Sequence, residues 1–420
     1  MGAGAFALIA LVFALYGAGS KLLHRGLVTA PLFFTLAGIG LGPIGLGLIN
    51  VDLTAETFLL LAEITLALVL FTDASHVRPR HLAIAHQVAG RLLLVALPLM
   101  VGLGMMAALW LFPGLPLFQA LALAAIVSPT DAALGRPVIS SGHLNPLWRD
   151  NLLAESGLND GLVLPVVLVA LLLSSREVAG AAADAGVAPL LWLVGGQVVL
   201  GPLVGAIVAL SGGRLFSWAL ARGYARHMTV RPGLLMLGLL AWAGASAVGG
   251  NGFLAAFTAG LLLGSRQRAL LPDLHPFAEM EADFLSHITF MLFGAVMVPA
   301  GLAGFMALDG AALGPVLSYV ALSLLVVRLL AVGVALIGSG QGWRGWLFFG
   351  WMGPRGMASL VFVLMATAPQ SSGFPPSDGM LEPVALPATG VLFPTVVMTV
   401  LASIALHGLS AYPLARFLSR

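Results

Sequence analysis

The residues with the most chemical reach in this chain are the two acids of Glu155-Ser156-Gly157-Leu158-Asn159-Asp160. Asn151-Leu152-Leu153-Ala154 precedes them, and an apolar run from Leu162 to Leu173 follows. At bilayer depth an ionised carboxylate costs about 2.5–3.5 kcal/mol on insertion scales. Each acid must therefore be paired, protonated or wetted by an ion path. Glu155 and Asp160 stand about 140° apart around a helix, so they need not share a face. Ser156 and Asp160, at i and i+4, do share one, as do Glu155 and Asn159. The Ser156–Asp160 face offers the hydroxyl and carboxylate oxygens that hard cations select. Glu155 can pair with a buried arginine, and Arg328 is the best placed because it sits in mid-span. Five acids fall in or at the end of apolar spans: Glu63, Asp73, Asp131, Glu155 and Asp160. Only three arginines do: Arg91, Arg328 and Arg355. At least two acids lack an arginine, which argues against a purely structural role for all of them. The partner of Glu63 is either Arg91 or a proton. Asp73, ending Leu70-Phe71-Thr72-Asp73, is a candidate for the inner entrance or a plain helix-end acid.

Two further segments break the spans that carry them: Ser128-Pro129-Thr130-Asp131 and Gly353-Pro354-Arg355-Gly356. Proline removes a helical hydrogen bond and frees carbonyls. Freed backbone groups at membrane depth survive only against protein or a wet cavity. Where broken helices cross, half-helix N-termini attract negative charge and C-termini attract cations. Asp131 would offset a positive helix end, and Arg355 a negative one. A single proline kink with a capping Asp would be an ordinary feature. The second break in register is what makes the pair informative.

The elements that must position these groups are membrane helices. The chain of 420 residues is 60% hydrophobic and only 9% charged, with a mean hydropathy of +1.03, whereas soluble domains carry about 25% charged residues. Its 52 glycines and 25 prolines fit close-packed or broken membrane helices. Apolar stretches near the spanning length occur at 4–20, 28–49, 54–74, 88–111, 117–135, 150–174, 188–211, 231–249, 251–265, 284–302, 313–338, 345–367 and 386–411. The first reads as a span and not a signal peptide, since no basic residue precedes it. The least distinct boundary is Gly249-Gly250-Asn251-Gly252. With the N-terminus outside, the inner loops hold Lys21, Arg25, Arg78, Arg80, Arg136, Arg149, Arg214, Arg222, Arg226, Arg231, Arg266, Arg268, Arg344, Arg416 and Arg420, and the outer loops only Arg176. That asymmetry predicts N-out, C-in topology. It also explains the pI near 9.4 without nucleic acid.

Spans four and eleven both carry Arg-Leu-Leu, at Arg91 and Arg328, and spans five and twelve both carry breaks. The offset of seven spans is odd, so the two copies are inverted, the pattern of transporters with a site near the midplane. Cysteine is absent, which excludes disulfides and thiolate sites. There is no HExxH, P-loop or GxSxG, so the reading is not an enzyme and needs no cofactor. His76, His81, His86 and His143 cluster on the inner side, where solvated loop histidines are the plain reading and pH tuning the sharper one.

These motifs together resemble the monovalent cation:proton antiporters, in their NhaP-type sodium/proton branch. The resemblance runs through Ala30-Pro31, Gly38-x-Gly40-Leu41-Gly42, Leu70-Phe71, Ser128 to Asp131, Glu155 to Asp160, Gly252 to Gly260, Arg328, Gly353 to Gly356 and His407 to Ala411. It implies an all-α protein of about thirteen helices with two inverted repeats of six. Residues 1–111 would hold spans one to four, 112–187 spans five and six with the ion site, 188–302 spans seven to ten, and 303–420 spans eleven to thirteen. Spans one to three and eight to ten would form a dimer domain, and spans four to six and eleven to thirteen a moving core. The protein would be a homodimer among lipids of the cell (inner) membrane. Asp160 would carry a proton or a cation in turn, with Ser156 and Thr130 as further ligands of Na+. Asn159 would be its polar neighbour, Asp131 part of the site, and Glu155–Arg328 a structural pair. Asn159 in place of a second acid matches the branch that looks electroneutral. Thr72 departs from relatives that carry an acid after Leu-Phe, which weakens any claim on Asp73. A scaffold of this kind selective for K+ or Li+ is the nearest alternative. A cation channel or sensor is more remote, because neither needs proton-coupled carboxylates.

Overall fold

In the computed structural model, residues 3–25, 28–49, 55–77, 88–131, 134–135, 144–178, 187–367 and 390–418 are described. His81, His86 and His143 lie outside them, as do Arg78, Arg80, Arg136 and Arg420. The described residues are almost entirely helical and contain no strand. The order is α1 (Ala3–Arg25), α2 (Ala30–Leu41), α3 (Ala55–His76), α4 (Val88–Leu111), α5 (Leu117–Ile126), α6 (Pro146–Val178) and α7 (Val187–Ala221). Then come α8 (His227–Ala247), α9 (Gly252–Arg266), α10 (Arg268–Met306), α11 (Gly310–Ala335), α12 (Gly342–Trp351), α13 (Met357–Thr367) and α14 (Leu392–Leu418). Among the described residues, eight helices are long and apolar enough to cross a membrane.

The shorter apolar helices include α5, α9 and α13. Every residue of α13 from Met357 to Ala366 is buried, as is α5 from Ala122 to Ile126. By contrast α7 exposes Val199, Leu203 and Ile207, and α8 exposes Met236 and Leu240. The interrupted helices α5 and α13 are thus enclosed by protein, as their unsatisfied backbone requires.

Sequence and structure differ at several ends. The stretch at 284–302 is the apolar part of a helix that begins at Arg268. Its first half carries Asp273, Glu279, Glu281 and Asp283, and hydropathy passes over it although helical hydrogen bonds do not. Likewise α7 runs on past residue 211 through Arg214, whose guanidinium donates back to the Leu210 carbonyl at 3.2 Å. The indistinct boundary near Gly250 is a true break. Gly249 takes φ +75°, Gly250 N–H closes onto Ala245 O at 2.8 Å, and Asn251 caps the next helix.

Among the described residues, three helices carry π turns, at Leu92–Ala96, Phe293–Met297 and Ser323–Val327. Pro98 and Pro299 lie just after the first two; a missing proline N–H accounts for the widened turn there. The first and third adjoin Arg91 and Arg328, in the two spans paired by the inverted repeat.

Candidate functional site: crossed breaks around two acids

α5 stops at Ile126 because Pro129 and its freed backbone follow. α12 stops at Trp351, with Met352 N–H closing its last turn onto Phe348 O at 2.8 Å, and Gly353 to Arg355 run non-helically before α13. These two interruptions meet. Asp131 N–H donates to Pro354 O at 2.8 Å. Asp131 Oδ2 accepts from Met357 N–H, the first of α13, at 2.9 Å, so a carboxylate sits on a positive helix end. Arg355 reaches the other way, donating to the carbonyls of Ser128 and of Pro129 (3.1 Å) beyond the C-terminus of α5. A guanidinium thus meets a negative helix end. Ser359 Oγ adds a bond to Ile126 O at 2.8 Å. Gly356 is required here, since a Cβ would overlap the Asp131 carboxylate.

α6 supplies the remaining groups. Ser156 Oγ donates to the Thr130 carbonyl at 2.6 Å, and Asn159 Nδ2 donates to Thr130 Oγ1 at 2.6 Å. α6 is therefore tied to the extended segment after α5 by two bonds to one residue. Asp160 is 3% exposed, and its Oδ1 has no hydrogen-bond partner among the described residues. Asn159 Oδ1 is buried in the same condition. Thr130, Asp131, Gly135, Leu152, Ser156, Met352 and Pro354 bound a gap too narrow to admit a water molecule, and neither Asn159 nor Asp160 lines it. Among the described residues no three His, Asp or Glu side chains converge as a metal cluster. The site is instead one of mixed hydroxyl, amide, carbonyl and carboxylate oxygens.

Glu155 points away from this group. Its two oxygens accept from Arg328 Nη1 and Nη2 at 2.9 and 3.1 Å, a bidentate pair 2% exposed on both sides. Nη2 also donates to Phe349 O at 2.9 Å. A Cβ on Gly353 would overlap the Arg328 guanidinium, so the second break also admits this arginine. Met100 Sδ lies between the two buried arginines, 3.9 Å from Arg328 Nη1 and 3.8 Å from Arg355 Nη2.

The structure joins Thr130, Ser156 and Asn159 by direct bonds, with Asp131 next to Thr130 and bonded to the second break, and Asp160 next to Asn159 on α6. Asp73 is half-buried near the end of α3, in the turn before His76. His76 turns to α10, with Nε2 at 2.7 Å from Glu279 and its ring stacked on His275. Arg91 is not the partner of Glu63. It donates to the carbonyls of Ile337 (2.6 Å) and Ala335 (3.4 Å) at the end of α11, a favoured place for a cation. Glu63 is buried and makes no bond or ion pair with any described residue. An unpaired carboxylate there carries a solvation penalty, so uncharged E63Q is expected to match or exceed the wild-type melting temperature in detergent. A clear drop would mean that a charged Glu63 is held by the fold.

A pair, Ser403 with His407, and a single residue, Asn251, received no site role from the sequence. Ser403 Oγ accepts from Arg355 N–H at 2.6 Å, and His407 Nδ1 lies 3.0 Å from the Ser403 carbonyl. Their signal was a polar stripe recurring every fourth residue of α14, at Thr395, Thr399, Ser403 and His407. For Asn251 the signal was a cap residue after Gly-Gly.

Fold and site define an all-helical polytopic membrane protein organised around two crossed, discontinuous helices. The profile of the family described as "Sodium/hydrogen exchanger, transmembrane" matches residues 7–417, and the chain belongs to that family. The solved structure of the sodium proton antiporter MjNhaP1 from Methanocaldococcus jannaschii is similar in fold, with a TM-score of 0.73 at 22% identity over 99% of this chain and 98% of that one. An electron-microscopy map of MjNhaP1 gives a TM-score of 0.67 at 23% identity, over 98% and 97%. Two curated relatives are the "Probable Na(+)/H(+) antiporter C3A11.09" of Schizosaccharomyces pombe and the "K(+)/H(+) antiporter NhaP" of Alkalimonas amylolytica. The first is 25% identical over 70% of this chain and 39% of its own length. The second is 26% identical over 92% of this chain and 62% of its own. The chain therefore spans less than two thirds of either relative.

Proposed function

We propose that this chain is a secondary cation/proton antiporter that exchanges a cytosolic monovalent cation, sodium foremost, for a proton without net charge movement. The observation that carries the reading is the buried Asp160 Oδ1, on the helix tied to the crossed breaks and without a hydrogen-bond partner among the described residues, as is the Oδ1 of its chain neighbour Asn159. Asp160 is filled by a proton or by a cation, never both, because a second positive charge there would be uncompensated. Ser156 and Thr130 contribute neutral oxygens, and Asp131 keeps its charge for the α13 N-terminus. Asn159 leaves one exchangeable carboxylate, which supports one cation per proton. The oxygen-rich set with a single carrier acid suits a monovalent ion; divalent ions take several carboxylates. Alternating access follows from α4–α6 and α11–α14 moving against α1–α3 and α8–α10 in a homodimer, with the N-terminus outside. The family and the names of the relatives support antiport. The potassium named for the Alkalimonas relative keeps K+ as the second reading.

The test is ion-driven pH change in proteoliposomes, scanned over Na+, Li+ and K+. Sodium is expected to give the lowest apparent KM, and a preference for K+ would overturn that assignment. Competition at one carboxylate also sets the pH response. Where protons fill the site, the apparent KM for the cation should rise about tenfold per pH unit on acidification by mass action, with Vmax little changed. A fall in Vmax at constant KM would count against a shared site.

A further inference from the structure

The turn that carries Asp160 has a backbone defect of its own. Pro165 lies inside α6, four residues after Gly161, and has no N–H to give the Gly161 carbonyl. That carbonyl is the backbone group next to the carrier acid, and burial requires that it find another donor. It finds one on a different helix. Asn251 Nδ2 donates to Gly161 O at 2.8 Å. The same side chain caps α9, its Oδ1 accepting from Phe253 N–H and Leu254 N–H, both at 3.0 Å. Its own N–H donates to Gln197 O of α7 at 3.3 Å, and Asn251 is 0% exposed. The contact is set in a bare stripe of α6. A Cβ on Gly157 would overlap the Phe257 ring, and one on Gly161 the Leu254 side chain, both from α9. The site helix therefore lies backbone-first on α9, with one directed bond crossing the contact.

We propose that Asn251 is a positioning residue whose bond to Gly161 restrains α6 in the disposition seen here, acting as a catch between the ion-carrying helices and α9. The inference rests on the antiport reading, in which α6 moves against α9 in each cycle. Leaving this disposition strips the Gly161 carbonyl of the Asn251 donor that replaces the one Pro165 removed. Phe257 and Leu254 pack against the bare glycines Gly157 and Gly161, and the directed bond adds a polar restraint to that apolar contact. Asn251 touches neither the cation nor the proton.

Two substitutions and their combination test this. N251S keeps a cap acceptor for α9 but is too short to reach Gly161. P165A restores an N–H within α6 that takes the Gly161 carbonyl and makes Asn251 redundant there. Cation-driven proton exchange in proteoliposomes is expected to turn over about fivefold faster in N251S, the scale of one net hydrogen bond, with apparent KM for the cation unchanged. P165A should be faster as well, and N251S added to P165A should give no further gain, the coupling expected of two residues sharing one acceptor. Unchanged or slower turnover in N251S, or an equal gain in both backgrounds, overturns the catch. If N251S does not fold, P165A decides alone, and wild-type turnover in it is the adverse result. A wild-type chain with no cation-dependent exchange would bring down the antiport reading and the catch with it. A normal wild type matched by both variants brings down only the catch.

Discussion

In sealed vesicles, D160N is expected to reduce cation-driven proton movement to the level of protein-free membranes while leaving the protein folded. Asn is nearly isosteric with Asp but can neither release a proton nor hold a compensating negative charge. In the proposed cycle both fluxes pass through that one carboxylate, so its loss cannot be offset by Asp131, which is engaged with the α13 N-terminus. Folding should survive for a separate reason. Asp160 Oδ1 makes no hydrogen bond among the described residues, so little native bonding depends on its charge. Removing a buried, incompletely paired charge is neutral or favourable for stability. The measurement is a paired one: exchange in proteoliposomes, and melting temperature of the same preparation. Persistent exchange in D160N would refute the carrier assignment. Lost exchange with a collapsed melting temperature would move Asp160 from transport to architecture.

The second large effect is on folding. R328A leaves Glu155 buried without its bidentate partner and the Phe349 carbonyl without a donor. Breaking a buried pair by deleting one member costs about 3–5 kcal/mol, mostly from the charge left behind. That is a large share of the stability of any domain. The expected result is a sharp fall in the yield of monodisperse protein and in melting temperature, with apparent cation KM near wild type in whatever folds. R328A that purifies normally but has lost cation dependence would instead place Arg328 in the transport site. The pair also joins distant parts of the chain, α6 to α11. Its loss should therefore loosen the packing of both helices on Met100 and Phe349.

Much of this protein is legible along the chain because the signals are local. Hydropathy marks the apolar part of each span, and the prolines at 129 and 354 mark the breaks where they occur. Helical spacing separates the direction of Glu155 from that of Asp160 within α6. The same locality explains the failures. A hydropathy window passes over the polar half of α10, and it stops α7 before Arg214, although both helices continue.

By itself, then, the sequence determined the all-helical class, the spans, the two interruptions and the small set of charged residues that the membrane cannot ignore. Only the tertiary structure decided which of those residues meet. It sent Arg91 to the C-terminus of α11, left Glu63 without a described partner, and brought Pro354 and Arg355 onto the segment from Ser128 to Asp131. It also showed that a carbonyl freed by Pro165 is held by Asn251, ninety residues away in the chain. The physical reason is one of range. Helix formation, breaking and burial depend on neighbours within a few turns, whereas a buried charge or an orphaned carbonyl takes whatever donor the packing of distant helices delivers.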